Sequence, residues 1–136
     1  MKIAHHEVKV ELPNDWWDEA GMGDFVRNSN AYRVRESNTE QWIFEVCIGD
    51  VGPVRRVPGV GIFNDSIEEG PARTRVVRIL RGFRVGDAIP PVEVVEGKHE
   101  DPHRYKLVHG THRLYCSLAA GFTHVPAVQG FNWAEL

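Results

Sequence analysis

The sequence predicts an α+β fold, a small mixed β-sheet with packed helices, and three observations carry that expectation. Tyr105-Lys106-Leu107-Val108 alternates as a half-buried strand does, while Leu114, Leu118 and Ala119 fall at helical spacing, so a strand passes through Gly110 into a helix. Between Pro71 and Gly82, Val76, Ile79, Leu80 and Phe83 recur at i, i+3, i+4 and i+7, the apolar stripe of an amphipathic helix. Runs rich in aromatic and β-branched residues, separated by Gly and Pro, read as further strands.

In chain order, residues 3–12 read as a first strand, with Val8, Val10 and Leu12 on one face and Lys9 and Glu11 on the other. Pro13 and Asn14 end it, and Trp16-Trp17-Asp18-Glu19 begins a short helical turn. Gly21, Gly23 and Asn28-Ser29-Asn30 mark loop. Trp42 to Ile48 reads as a strand, and Gly49 to Gly61, dominated by glycine and proline, as a long shaped loop. Pro71 suits the first position of the next helix and Gly82 its stop. Arg75, Arg78 and Arg81 recur every third residue on the side opposite the stripe, as a solvated cationic face does. Ile89 to Val95, Tyr105 to Val108 and Val125 to Val128 supply the remaining strands. Trp16, Trp17 and Trp42 are expected in the core, and Cys116 as a small buried residue.

Composition bounds the function. A chain of 136 residues is one domain's worth, able to bury roughly two thirds of its unfolded surface. Residues 46–136 are expected to form the main domain and residues 1–45 an elaboration packed on it. A formal net charge of −3 argues against a protein whose main task is coating duplex nucleic acid. Cys47 and Cys116, far apart and within apolar runs, read as free thiols in a reducing compartment. Residues 1–12 carry Lys2, two histidines and Glu7, unlike a secretory leader, and no apolar run approaches the ~20 residues of a membrane span. A cytoplasmic location without a membrane partner is expected.

The strongest functional signal is His109-Gly110-Thr111-His112-Arg113, at the joint of strand and helix. Thr111 is a good N-cap, the first helical turn offers N–H groups with no intrahelical partner, and the dipole there favours negative charge. Arg113 and His112 add side-chain donors, which makes the joint a phosphate site. The same residues also suit a capped helix whose arginine meets a neighbouring carboxylate.

Ile89-Pro90-Pro91-Val92-Glu93-Val94-Val95, then Tyr105 to Arg113, then Val125-Pro126-Ala127-Val128, together resemble the ParB/sulfiredoxin superfamily. In that family two strands form a hairpin, a Gly-x-His-Arg or related box opens a helix, and a short Ile/Val-Pro strand follows. The resemblance covers Pro71 to Val128, extends back towards Val46, and is closest in pattern to the sulfiredoxin branch with its Pro-Pro-Ile strand and Gly-Gly-Cys-His-Arg box. It implies a nucleotide-phosphate site at Gly110, Thr111, His112 and Arg113. Arg73 joins them, because Pro71-Ala72-Arg73 matches the Pro-x-Lys opening of a helix whose lysine lies near the phosphates. The hydroxyl residues that follow in that helix are Val76 and Leu80 here. Thr111 stands where the sulfiredoxin nucleophile is cysteine, and a hydroxyl is a far poorer nucleophile than a thiolate, so sulfinate reduction is not implied. The helix-turn-helix and dimerisation segments of the partition proteins are not expected in a chain that stops at Leu136.

The expected function is therefore binding of a nucleoside triphosphate, ATP or CTP with Mg2+, with phosphoryl transfer or nucleotide hydrolysis as the activity. Arg113 and the helix N-terminus would stabilise phosphoryl charge, and Asp65, Glu68, Glu69 or Glu93 would position the nucleophile. A noncatalytic module of the same fold, binding nucleic acid or a protein, is the alternative.

Three further motifs carry less. His99-Glu100-Asp101-Pro102-His103 has the letters of a zinc-protease helix, but Pro102 disfavours helical geometry in Asp101 and the run falls between two strands, so no zinc site is expected there. His99, His103, His109 and His112 could be gathered by a hairpin, or remain separate surface histidines, while His5-His6 has no partner spacing. Arg55-Arg56 reads either as an approach to a nucleotide or nucleic-acid backbone or as a solvated turn, and Gly59-Val60-Gly61 is not a dinucleotide fingerprint.

Overall fold

The computed structural model describes residues 1–36, 41–54, 61–68 and 70–130. Arg55, Arg56, the Gly59-Val60-Gly61 motif's first two residues and Glu69 lie outside the described residues. The chain is a mixed α+β protein with a two-stranded and a four-stranded sheet.

The first segment is a hairpin rather than one strand. β1 (Lys2–His5) pairs antiparallel with β2 (Val8–Glu11), with Ile3 opposite Val10 and His5 opposite Val8. The chain reverses at His6, whose φ of 55° is a left-handed conformation. The apolar parity explains the reversal. Ile3 and His5 are buried at odd positions, Val10 and Leu12 at even ones, and only a two-residue turn puts both sets on one face. α1 (Asn14–Glu19) follows after Pro13.

β3 (Phe44–Cys47) is shorter than the sequence suggested and passes directly into a 3-10 turn, Ile48–Asp50. Because the strand starts only at Phe44, Trp42 precedes it and is 82% exposed, not core; Trp16 and Trp17 pack against the core. α2 (Ala72–Val85) runs past Gly82. Gly82 sits inside it because a Cβ there would come within 2.9 Å of Ile89 Cδ1, so the glycine serves close packing. The stop is Gly86, at φ 76°, whose N–H meets the Gly82 and Phe83 carbonyls.

β4 (Val92–Glu96) and β5 (Tyr105–His109) form an antiparallel hairpin with an irregularity between Glu93 and Val94. α3 (Thr111–Ala119) returns the chain, and β6 (His124–Gln129) lies parallel to β4. β3 pairs antiparallel with β6, giving the strand order β3-β6-β4-β5. The loop from Gly97 to Arg104 is not helical, so the His99 to His103 run lacks the helix a zinc protease requires.

One core joins all these elements. Leu12 and Met22 from the first part of the chain are fully buried beside Leu80, Val92, Leu114, Tyr115 and Val125. Cys47 is exposed and Cys116 buried, both as free thiols. Burial pushes the Cys116 thiol well above its ordinary range, so it is no nucleophile. Among the described residues, no helix is long and apolar enough to cross a membrane.

Candidate anion-binding site

The joint of β5 and α3 opens onto a cleft of about 970 Å³. Gly110 makes the turn at φ 103°, and a Cβ there would stand 2.7 Å from Val92 Cγ1. Both the backbone angle and the space exclude any other residue. Gly110, not Thr111, is the N-cap, so Thr111 is the first helical residue and no side chain caps α3. The start of α3, the end of a helix that favours an anion, thus lies at the cleft.

Gly110, Thr111, His112 and Arg113 all line the cleft. Among the described residues, Arg113 meets no carboxylate. Its Nη1 donates to the Pro91 carbonyl at 2.5 Å, which fixes the guanidinium beside the helix opening. The His112 Nε2 lies 3.0 Å from the Ile62 carbonyl, and its ring packs on Phe63 at 5.6 Å between centroids. This histidine holds the 61–64 wall of the cleft.

Arg73 is elsewhere. It pairs with Asp15 at 3.1 Å and Glu19 at 3.3 Å on α1 and is not a cleft residue. The arginines of α2 divide by helical phase. Arg73, Arg81 and Arg84 turn to the first part of the chain, Arg81 donating to the Glu19 carbonyl at 3.1 Å and Arg84 to that of Gly21 at 2.8 Å. Arg75 and Arg78, three residues apart and in phase with Gly82, line the cleft. The cationic face expected from sequence is thus divided between one side held against the first part of the chain and one side lining the cleft.

Arg35 adds a further cation to the lining, and His109 lies there as well. Arg35 is held by its backbone, its N–H donating to the Ile89 carbonyl at 2.8 Å beside the Val34–Ile89 bridge. Nothing in the local pattern around Arg35 marked it; the signal for Arg75 and Arg78 was their spacing next to the apolar stripe. Apolar surface comes from Val54, Ile62, Ile79 and Val108.

Asp65, Glu68 and Glu93 do not line the cleft. Asp65 Oδ1 accepts the Ala72 N–H at 2.8 Å and so opens α2. Asp87 is the one acid among the described lining residues. The four histidines do not gather either. His109 and His112 are at the cleft, while His103 packs on His6. Against four arginines, two histidines and a helix N-terminus, one carboxylate leaves the cleft suited to an anion.

Comparisons of the chain with protein-family models, with curated proteins and with solved structures find no match.

Proposed function

We propose that the cleft binds a phosphorylated ligand, a nucleoside triphosphate such as ATP or CTP, within a ParB/sulfiredoxin-like core. One observation carries the reading: Arg35, Arg75, Arg78 and Arg113 line one cleft together with the N-terminus of α3, and its described lining holds a single acid. The order of hairpin, left-handed glycine, helix and parallel strand from β4 to β6 supports the family resemblance. The volume is of the size that takes a small organic ligand. Its apolar wall gives a base or sugar a dry surface, while the arginines give phosphates charge-assisted bonds.

Phosphoryl transfer or nucleotide hydrolysis is the activity proposed. Arg113 and the start of α3 would stabilise charge on phosphoryl oxygens, and Asp87 takes the place of Asp65, Glu68 and Glu93 as the group to orient a nucleophile. Mg2+ would enter with the nucleotide, held chiefly by phosphate oxygens and water, which its coordination preference allows with few protein carboxylates.

A thermal-shift series with ATP, CTP, GTP and ADP, each with and without Mg2+, tests the reading. A ligand that binds only the native state stabilises it by about 2.7 kcal/mol at a hundredfold excess over its dissociation constant. A raised melting temperature with at least one nucleotide is expected. A flat response to all of them at millimolar concentration would favour a noncatalytic module that binds nucleic acid or a protein.

A further inference from the structure

Outside the cleft, His5 and His6, which the sequence left without partner spacing, come together with His103 beside Tyr115. The His5 and His6 ring centroids are 4.4 Å apart, and those of His6 and His103 are 4.3 Å apart. His5 is buried at the end of β1, with Tyr115 of α3 edge-on to its ring at 5.9 Å. His6 occupies the strained hairpin turn, and His103 comes from the loop between β4 and β5, packed against Gly52.

The backbone fixes the tautomers. His5 Nε2 lies 3.1 Å from the Ile48 carbonyl, and His6 Nε2 lies 2.8 Å from the Val51 carbonyl. A carbonyl only accepts, so each Nε2 carries the proton and each Nδ1 is a bare lone pair in the neutral ring. The Nδ1 of His5 is buried with no hydrogen-bond partner. A neutral ring tolerates that, but an imidazolium would bury an unsatisfied N–H and a charge together.

We propose that His5, His6 and His103 form a proton-operated clasp, which locks the N-terminal hairpin to the 48–51 turn and the β4–β5 loop when neutral and releases it on acidification. The titratable groups acting on His5 are His6 and His103. The turn gives the ring the Ile48 carbonyl and carries Asp50, α3 gives it Tyr115, and among the described groups it is the two imidazoles, not a carboxylate, whose charge acts on His5. Burial outweighs the backbone hydrogen bond to Ile48 and, with smaller repulsion from His6 and then His103, holds the His5 imidazole below its ordinary 6.5. A lowered value in the folded state means that the unfolded chain binds the proton more readily. The stabilisation is complete above 6.5 and is lost as pH falls below it towards the folded value.

The experiment is proton NMR titration of the imidazoles together with amide hydrogen exchange, corrected for intrinsic rate, near pH 7.5 and near pH 5. In the native chain, His5 is expected to titrate below 6.5. The β1 and β2 amides should lose protection in acid, while β4 and β6 amides change little. His103→Ala removes one of the repelling imidazoles without touching a buried position, so it should raise the His5 value and blunt the acid response. His99→Ala, in the same loop but outside the cluster, should leave both unchanged. Hairpin exchange that is equal at the two pH values, or an acid response identical in the native chain and His103→Ala, overturns the clasp.

Discussion

Arg113 shows how a single residue can serve the fold and the ligand at once. Its Nη1 bond to Pro91 anchors the chain just ahead of β4 beside the α3 opening, so part of the guanidinium's hydrogen-bonding capacity is committed before any ligand arrives. Arg113 also lines the cleft, where a planar fork can donate to phosphate in a way lysine copies poorly. Arg113→Ala should therefore weaken binding of a stabilising nucleotide about tenfold or more and also lower stability by about 1 kcal/mol. Arg113→Lys should recover only part of the affinity. Calorimetric titration alongside urea unfolding separates the two effects. Unchanged affinity with a marked stability loss would make Arg113 a purely structural anchor. The site box was legible because glycine, hydroxyl and cation follow a strand in immediate succession. What the sequence did not show was which residue turns the corner. Thr111 is the better capping type by composition, but the backbone needs φ 103° and an unobstructed approach to Val92 one position earlier, and only Gly110 satisfies both.

At the scale of elements, α2 decides most of the architecture. Its apolar stripe enters the core, its Arg73, Arg81 and Arg84 side meets α1 and the turn after it, and its Arg75 and Arg78 side walls the cleft. These faces make opposite predictions for chemically equal substitutions. Arg78→Ala should reduce nucleotide affinity by roughly tenfold, more so at low ionic strength, with little change in unfolding. Arg73→Ala should leave affinity unchanged and cost less than about 1 kcal/mol, because its partners are exposed and solvent screens the pairs. Loss of affinity in Arg73→Ala with none in Arg78→Ala would reverse the assignment of the faces. Helix and strand types followed from periodicity, and their limits followed less well. Gly82 has the composition of a stop but is retained for its approach to Ile89, a contact between residues seven apart that only tertiary packing reveals. The hairpin of β1 and β2 was legible in principle. The buried positions shift from odd to even between His5 and Val8, and a single strand cannot do that.

For the molecule as a whole, the question is whether the first forty-five residues are an ornament or part of the same folding unit. The resemblance carried by Pro71 to Val128 treats them as an addition, because no motif there matches anything. The packing argues otherwise. Leu12 and Met22 are fully buried and Ile3, Val10 and Tyr32 nearly so, all in the cluster that holds Leu80, Phe83, Leu114 and Tyr115. The Tyr32 hydroxyl also donates to the Pro90 carbonyl at 2.6 Å, beside the bond that Arg113 makes to Pro91. Burying a large apolar side chain contributes about 1.5–3 kcal/mol, so Leu12, Met22 and Tyr32 together rival the whole 5–15 kcal/mol stability of a typical domain. Residues 46–136 expressed alone should therefore lack a cooperative thermal transition and bind a hydrophobic dye, although the strands and helices of the cleft are all present in them. The chain of 136 residues should unfold in one step, with tryptophan fluorescence and far-ultraviolet circular dichroism changing together. A shortened chain with a sharp transition and a dispersed NMR spectrum would show that the hairpin and α1 are separable. The cleft would then have to be explained without the Tyr32 bond that holds one of its edges.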